Sequence, residues 1–467
     1  MAALVYFRNM KRLMPIVFCV AALAGCSKKD AIAPYVPTDS IGRIDKWIAD
    51  SLRRYYYWSD EMPGKPDYRL VPDKFFQTML SKSDRFSWVS NGMDILPASN
   101  SYFMYGFHYA FVAVSGYDGL VGVVTAVNEG GPAQQAGLLR GSYFLSVNGQ
   151  RVHRDNMATL NVMLRTGSAV KLMKGAYNGS GWVEDGEVGL SAGFSGESPV
   201  RMVRVFNANG IVTGYLNYNS FNEYYDDRLL EAVNRLRTAR VSELVLDLRY
   251  NAGGHVSSCA KLAALLAPEM TAQEIFAIYS GNRYEGKKTQ TLQAVLNTSG
   301  NAAGRTFQEL QGLRLSLQRV FILTTRGTVS AAELIVNNLK PFMEVVQIGD
   351  TTRGKNEAGF VIEEHRSPRQ VAWSMEPTVY KLFNKNSQGN YEAGLPPRYP
   401  VLELSQLPLH EIGESEDLLL HEALQLIYGN KVPETYTELG LKRYRLKAIA
   451  VYQSVNDTEG RCLLTNH

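Results

Sequence analysis

Two residues carry the types and spacing for covalent chemistry: Ser330, where an apolar helix should begin, and Lys355, 25 residues later in a glycine loop. A serine hydroxyl at a helix start is surrounded by backbone N–H groups and the positive end of the helix dipole, which suit a nucleophile. If that hydroxyl attacks a carbonyl, the next amide, of Ala331, can help hold the developing oxyanion. Lys355 is the candidate base, since burial favours the neutral amine that can take a hydroxyl proton. Ser330 with Glu333 also spells the S-x-x-E capping box, which by itself only starts a helix.

These two residues need a scaffold, and Arg319 to Lys355 reads as strand, turn, helix, strand and loop. Val320 to Leu323 is an apolar run closed by Thr324, Thr325 and Gly327, the pattern of a strand buried on both faces. Ala331 to Lys340 follows as a helix with Leu334, Ile335 and Leu339 on one stripe, stopped by Pro341. Glu344 to Ile348 returns as a strand, and GDTTRGK is the loop after it. A right-handed β-α-β unit places the helix start and that loop at the same carboxyl edge, so Ser330 and Lys355 are expected to meet. A second stretch, Glu243 to Gly254 (ELVLDLRYNAGG), runs from an apolar strand into a glycine turn, with a helix expected over Val256 to Leu266. Gly253 and Gly254 can bring bare N–H groups close to a ligand. With Ala331 they would form the two halves of an oxyanion hole.

DLRYNAGG, TVSAAELIVNNL and GDTTRGK, in this order, resemble the DLRxNxGG, S-A-x-E and G-x-x-T-x-G-K segments of the carboxyl-terminal-processing, or tail-specific, serine peptidases. The resemblance covers most of the chain after about Tyr105. It implies an α/β fold: a crotonase-like (ClpP/crotonase) spiral catalytic domain with an upstream PDZ domain. It also implies a Ser-Lys serine endopeptidase with Ser330 as nucleophile, Lys355 as base, and Ala331 with Gly253 or Gly254 as oxyanion hole. Some relatives carry a third polar residue at the positions of Pro341 or Gly359; this chain has none there, and Asn356 and Glu357, either of which could orient Lys355, read more readily as solvated loop residues.

Composition is that of an ordinary globular chain: 467 residues, 45% hydrophobic and 20% charged, enough for two or three domains. Residues 1–25 carry Arg8, Lys11 and Arg12 before an apolar run from Leu13 to Gly25 that ends in LAGC, which resembles a bacterial lipoprotein signal. The run is too short to span a bilayer, so a cleaved export signal is expected, with Cys26 lipidated. Loss of those three cations takes the formal net charge from +4 to +1, so the basic balance does not point to nucleic acid. The expected setting is the cell envelope, lipid-anchored on the periplasmic side. Cys259 and Cys462 then remain, too few for a disulfide framework, and Cys259 reads as a buried thiol.

Residues 26–39 read as a linker, 40–95 as a small aromatic-rich helical domain that continues through DKFFQTMLSKSDRFSW, 100–192 as the PDZ domain, 200–430 as the catalytic domain and 431–467 as a tail without further signal. The PDZ assignment rests on GGPAQQAGLLRGSYFLSVNGQRV, which resembles the PDZ pattern, with Tyr105, Gly106, Phe107 and His108 as the carboxylate-binding loop and first edge strand. Gly281 to Ser316 is a polar insertion, a lid or a surface excursion. Ser258 and Lys261 match S-x-x-K without its companion motifs, a coincidence on a helix face. No zinc helix, P-loop or G-x-G-x-x-G appears, so neither metal nor cofactor is implied. The expected partners are proteins or peptides with apolar carboxyl termini. The competing function is a catalytically silent PDZ scaffold lipoprotein that binds peptides without cutting them.

Overall fold

The computed structural model describes residues 39–91, 101–193, 196–433, 445–457 and 461–463. The expected signal segment and Cys26 lie outside the described residues. Among the described residues no helix is long and apolar enough to cross a membrane.

Helix α1 (Ser40–Tyr55) starts where the Asp39 carboxylate accepts the Gly42 N–H at 2.7 Å, an N-cap. It buries Ile48, Ala49 and Leu52 against Phe75, Phe76 and Met79 of α2 (Pro72–Met79). The helical reading of the residues after Met79 is corrected. Asp84 accepts the Phe86 and Ser87 N–H groups, an Asx turn that competes with helix, and Trp88–Ser90 is a strand paired with Ser374–Glu376.

The next unit is an antiparallel sheet in the order β1 (Phe107–Val114), β2 (Val121–Val127), β3 (Tyr143–Val147), β4 (Val170–Tyr177), β5 (Trp182–Leu190). Helix α3 (Met157–Met163) closes its core, placing Leu160 among Phe107, Tyr109, Phe111 and Phe144.

The catalytic-domain sheet is built from β6 (Val200–Ala208), β7 (Ile211–Tyr218), β8 (Glu243–Asp247), β10 (Arg319–Thr324) and β11 (Glu344–Gly349). Its spatial order is β6-β7-β8-β10-β11, with the two-residue strand Tyr399–Pro400 beyond β11, and all are parallel apart from β6. A short strand, β9 (Gly253–His255), stands outside it. Alternation along the strands assigns the two faces. Leu244, Leu246, Val320 and Ile322 join the core beneath α4 (Asp226–Thr238), α5 (Val256–Leu266) and α6 (Ala331–Leu339). Val245, Phe321 and Leu323 join a second core beneath α7 (Leu418–Tyr428). Burial on both faces is what the unbroken apolar runs require.

Two sequence expectations fail here. The polar insertion 281–316 forms short elements whose Leu292, Val295, Leu296 and Leu310 are buried in the core shared with α5, so it is neither a lid nor an excursion. The described residues of the tail form strands too: β12 (Leu446–Gln453) pairs antiparallel with β1, and β13 (Arg461–Leu463) pairs parallel with β9. Both partners are remote in sequence, so local pattern could not reveal them.

A buried ionic cluster ties the two sheets together. Arg140, from the β1–β5 unit, donates to Glu403 at 2.7 Å and Asp417 at 3.1 Å. Arg249 donates to the same two carboxylates at 2.8 and 2.7 Å and also to Asp247. Burial without this pairing would be prohibitive for each charge.

Candidate active site

The serine segment is fastened to the end of the neighbouring strand before the helix begins. Thr325 Oγ1 donates to the Arg249 carbonyl, Thr328 Oγ1 to the Leu248 carbonyl at 2.8 Å, and Val329 N to the Asn251 carbonyl at 3.0 Å. The motif DLRYNAGG therefore acts through its backbone here, as the wall on which the serine loop hangs. Ser330 follows with φ +62° and ψ −114°, a strained combination for a residue with a side chain.

Ser330 and Glu333 stand in capping-box positions, but no side-chain cap hydrogen bond forms at Ser330. The Glu333 carboxylate reaches back to Ser330 N at 2.8 Å, but Glu333 N donates to the Ser330 carbonyl, not to its hydroxyl. Ser330 Oγ is buried and has no hydrogen-bond partner among the described residues. The helix-capping explanation of this serine thus leaves its hydroxyl unused, and the nucleophile explanation uses it.

Glu333 is the hub that sequence reasoning missed. Its Oε2 accepts both Ser330 N and Lys355 N, each at 2.8 Å, so the two amides lie no further apart than those two bonds allow. Its Oε1 accepts Gly354 N at 2.6 Å and the Thr352 hydroxyl at 2.5 Å. Burial raises the Glu333 pKa above the usual carboxylate range, opposed by the hydrogen bonds from Thr352, Lys355, Ser330 and Gly354. One carboxylate therefore clamps the start of α6 to the lysine loop, and the expected meeting of these two segments is found. The S-x-x-E spacing carried the signal, read only as a helix start.

Lys355 is buried, with its Nζ 4.9 Å from the centre of the Phe86 ring. Arg85, beside that ring, donates to the Gly354 carbonyl at 2.5 Å. The N-terminal domain thus forms one wall of the site. Asn356 and Glu357 are corrected from solvated to buried: Lys381 donates to Asn356 Oδ1 at 3.1 Å and to Glu357 Oε1 at 2.7 Å. Thr378 Oγ1 also donates to Glu357 Oε2 at 2.9 Å, and Asn356 Nδ2 donates to the Gly389 carbonyl.

Of the oxyanion candidates, Ala331 is the first residue of α6, where an N–H has no acceptor within the helix. Gly253 N is taken by Asn251 Oδ1 at 2.8 Å, which corrects its candidacy. Gly254 remains, on a strand that packs against α6, with φ +137°. A Cβ at this position would run into the Phe221 carbonyl, so only glycine fits. Lys261 is fully buried and donates to Asp226 and Ser299, a structural role for the S-x-x-K match.

The carboxylate-loop quartet is only partly placed as expected. Tyr105 is buried with its hydroxyl on the Ser168 carbonyl, and Gly106 N donates to the Tyr102 carbonyl at 2.9 Å, so neither offers a donor to a peptide. Phe107 lies in the core below β1. His108 is buried and stacked on Tyr102, 4.2 Å between centroids; burial, with Arg201 nearby, pushes its pKa down to about 3, so the ring is neutral.

The fold and these segments match known sequences in the same order. The profile of the Peptidase S41 N-terminal domain matches residues 43–88, that of a PDZ domain residues 123–173, and that of Peptidase family S41 residues 212–401. The chain belongs to peptidase family S41. Its S41 relatives include the carboxy-terminal processing protease CtpB of Bacillus subtilis, 24% identical over 365 residues that cover 76% of this chain and 68% of the relative. The carboxyl-terminal-processing protease of Synechocystis is 23% identical over 306 residues, 66% of this chain and 65% of that one. The chain spans about two thirds of the length of these curated relatives. A crystal structure of a candidate S41 protease from Bacteroides fragilis superposes with a TM-score of 0.66 and is 28% identical, covering 85% of this chain and 99% of that one. The S41 assignment agrees with the α/β architecture and with serine-type hydrolase chemistry.

Proposed function

We propose that this S41 member is a Ser-Lys endopeptidase that cuts envelope proteins presented through its PDZ domain. The observation that carries this is the shared carboxylate of Glu333, which holds the backbone of Ser330 and Lys355 together and leaves the serine hydroxyl unspent. Ser330 Oγ attacks the scissile carbonyl carbon as its proton passes to Lys355 Nζ. The oxyanion is held by Ala331 N–H and Gly254 N–H. Lys355 returns the proton to the leaving amine, and water then hydrolyses the acyl-enzyme by the same steps. Selection of apolar carboxyl termini, lipid anchoring at Cys26 and placement in the envelope belong to this proposal; they are motivated by the PDZ match and the LAGC segment.

The test uses soluble protein beginning after Cys26 and peptides with apolar or charged carboxyl termini, followed by mass spectrometry. Ser330→Ala and Lys355→Ala should each lower cleavage at least about a thousandfold while melting like the parent. Turnover in either variant comparable to the parent's refutes the mechanism. Binding without cleavage in all three points to the scaffold.

A further inference from the structure

The segment that sequence reading left as a tail pairs with β1 and with β9. PDZ domains take an extended peptide as an added strand on an exposed sheet edge. In this chain the outer edge of β1 is already covered by β12, antiparallel, with Phe111 opposite Tyr452 and Val114 opposite Ala448. The Tyr452 ring stands 5.8 Å from both the Tyr109 and Phe111 rings. β1 is almost wholly buried, whereas β12 is largely half-exposed, carries Ile449 at 72% exposure, and is paired on its other edge only at Leu446 and Lys447, with Leu407 and Gln406.

The next residues lead from β1 to the catalytic loops. Ser454 Oγ accepts Tyr109 N at 2.9 Å. Val455 is buried over Gly327, where any Cβ would strike its side chain, and its carbonyl accepts Arg353 at 3.0 Å. Gly327 and Arg353 belong to the loops that deliver Ser330 and Lys355. Finally β13 pairs with β9, Gly254 opposite Cys462, on the strand that carries the remaining oxyanion glycine. Residues 458–460, between these contacts, lie outside the described residues.

We propose that residues 446–457 and 461–463 are an intramolecular occupant of the peptide path that keeps the peptidase closed until a substrate displaces them. What is being closed rests on the Ser330 and Lys355 proposal. The occupation itself does not, because it stands on strand pairing and on the Val455 contact. An extended substrate strand cannot pair with β9 or with β1 while both edges are taken.

The experiment uses the full chain after Cys26 and Val455→Asp, which places an unpaired carboxylate against Gly327. Val455→Ala serves as the milder variant should the aspartate prevent folding. Two quantities are read: hydrogen exchange over residues 107–114 and 253–255, and cleavage of unfolded casein. Val455→Asp should exchange about tenfold faster in both stretches and cleave about tenfold faster. A synthetic peptide of residues 446–463 should reverse both changes. Val455→Ala should move both in the same direction by less. Unchanged exchange in folded variants overturns the proposal. So does faster exchange with parent-like cleavage by an active parent. Faster exchange with no cleavage by any form upholds the occupation and refutes the Ser-Lys mechanism instead.

Discussion

Glu333→Gln tests the clamp with the smallest available change. The carboxylate accepts four hydrogen bonds, two at each oxygen. An amide can keep only one acceptor atom. Its least costly orientation leaves the oxygen facing Ser330 N and Lys355 N and puts the NH₂ where Gly354 N and the Thr352 hydroxyl now donate. Thr352 can turn its hydroxyl, since Oγ1 already accepts Leu395 N at 2.8 Å. Gly354 N cannot turn. It is left buried, facing another donor, at a cost of about 1–3 kcal/mol, and bonds to a charged acceptor are weakened to neutral ones. Removing a buried carboxylate whose pKa burial has raised returns part of this. The net expectation is a loss of about 1–3 kcal/mol in stability. Gly354 immediately precedes Lys355, so the lysine moves more than the serine. A displacement of ~1 Å costs about a hundredfold in turnover, with KM changed by less than about threefold. Denaturant titration and initial rates on one peptide, well below the melting temperature, provide the readout. A variant with the parent's midpoint and kcat would refute the clamp; a raised KM with unchanged kcat would make Glu333 a residue for substrate binding alone.

Two further expectations concern stability. Arg140→Met leaves Glu403 and Asp417 sharing Arg249 alone, and should cost about 3–5 kcal/mol; an unshifted thermal transition would show that the cluster does not join the two sheets. Asp45 is buried without a hydrogen-bond partner among the described residues, and its pKa is pushed up to about 7 by burial, then by Asp39 and Asp67. A folded pKa above the unfolded one means stability that is full below about pH 4 and falls as pH rises to about 7. Asp45→Asn should therefore raise stability by a few kcal/mol at pH 8 and hardly at all at pH 4, whereas parallel melting curves for the two proteins across pH would defeat the assignment.

Ser330, Lys355 and the β-α-β unit around them were legible because every signal there is local: an apolar run, a cap, a helix stripe and a glycine loop within 37 residues. What closes the site was not legible, because it arrives from far away in the chain. Phe86 and Arg85 come from a turn whose Asp84 looked like one more polar residue in a helix. Asn356 and Glu357 looked solvated because Lys381 and Gly389, which bury them, lie across a strand pairing that no periodicity announces. The same holds for β12 and β13. Gly253 was read as a donor because glycine frees an N–H, but Asn251, two residues earlier in the same motif, consumes it.

The cost of the serine's geometry explains why so much is fastened to it. A side-chain-bearing residue at φ +62° carries about 1–3 kcal/mol of strain, and its buried hydroxyl makes no compensating bond among the described residues. Neither would persist on a loop free to relax. The three bonds from Thr325, Thr328 and Val329 to the end of the β8 segment, with the Glu333 bond to Ser330 N, remove that freedom. Arg249, whose carbonyl anchors one of them, is itself fixed by Asp247, Glu403 and Asp417, the last two shared with Arg140. The strained serine and the ionic cluster under it are therefore one mechanical unit. Weakening the cluster should show first as lost turnover and only later as lost fold, because the loop can relax its strain by moving the one hydroxyl that must not move.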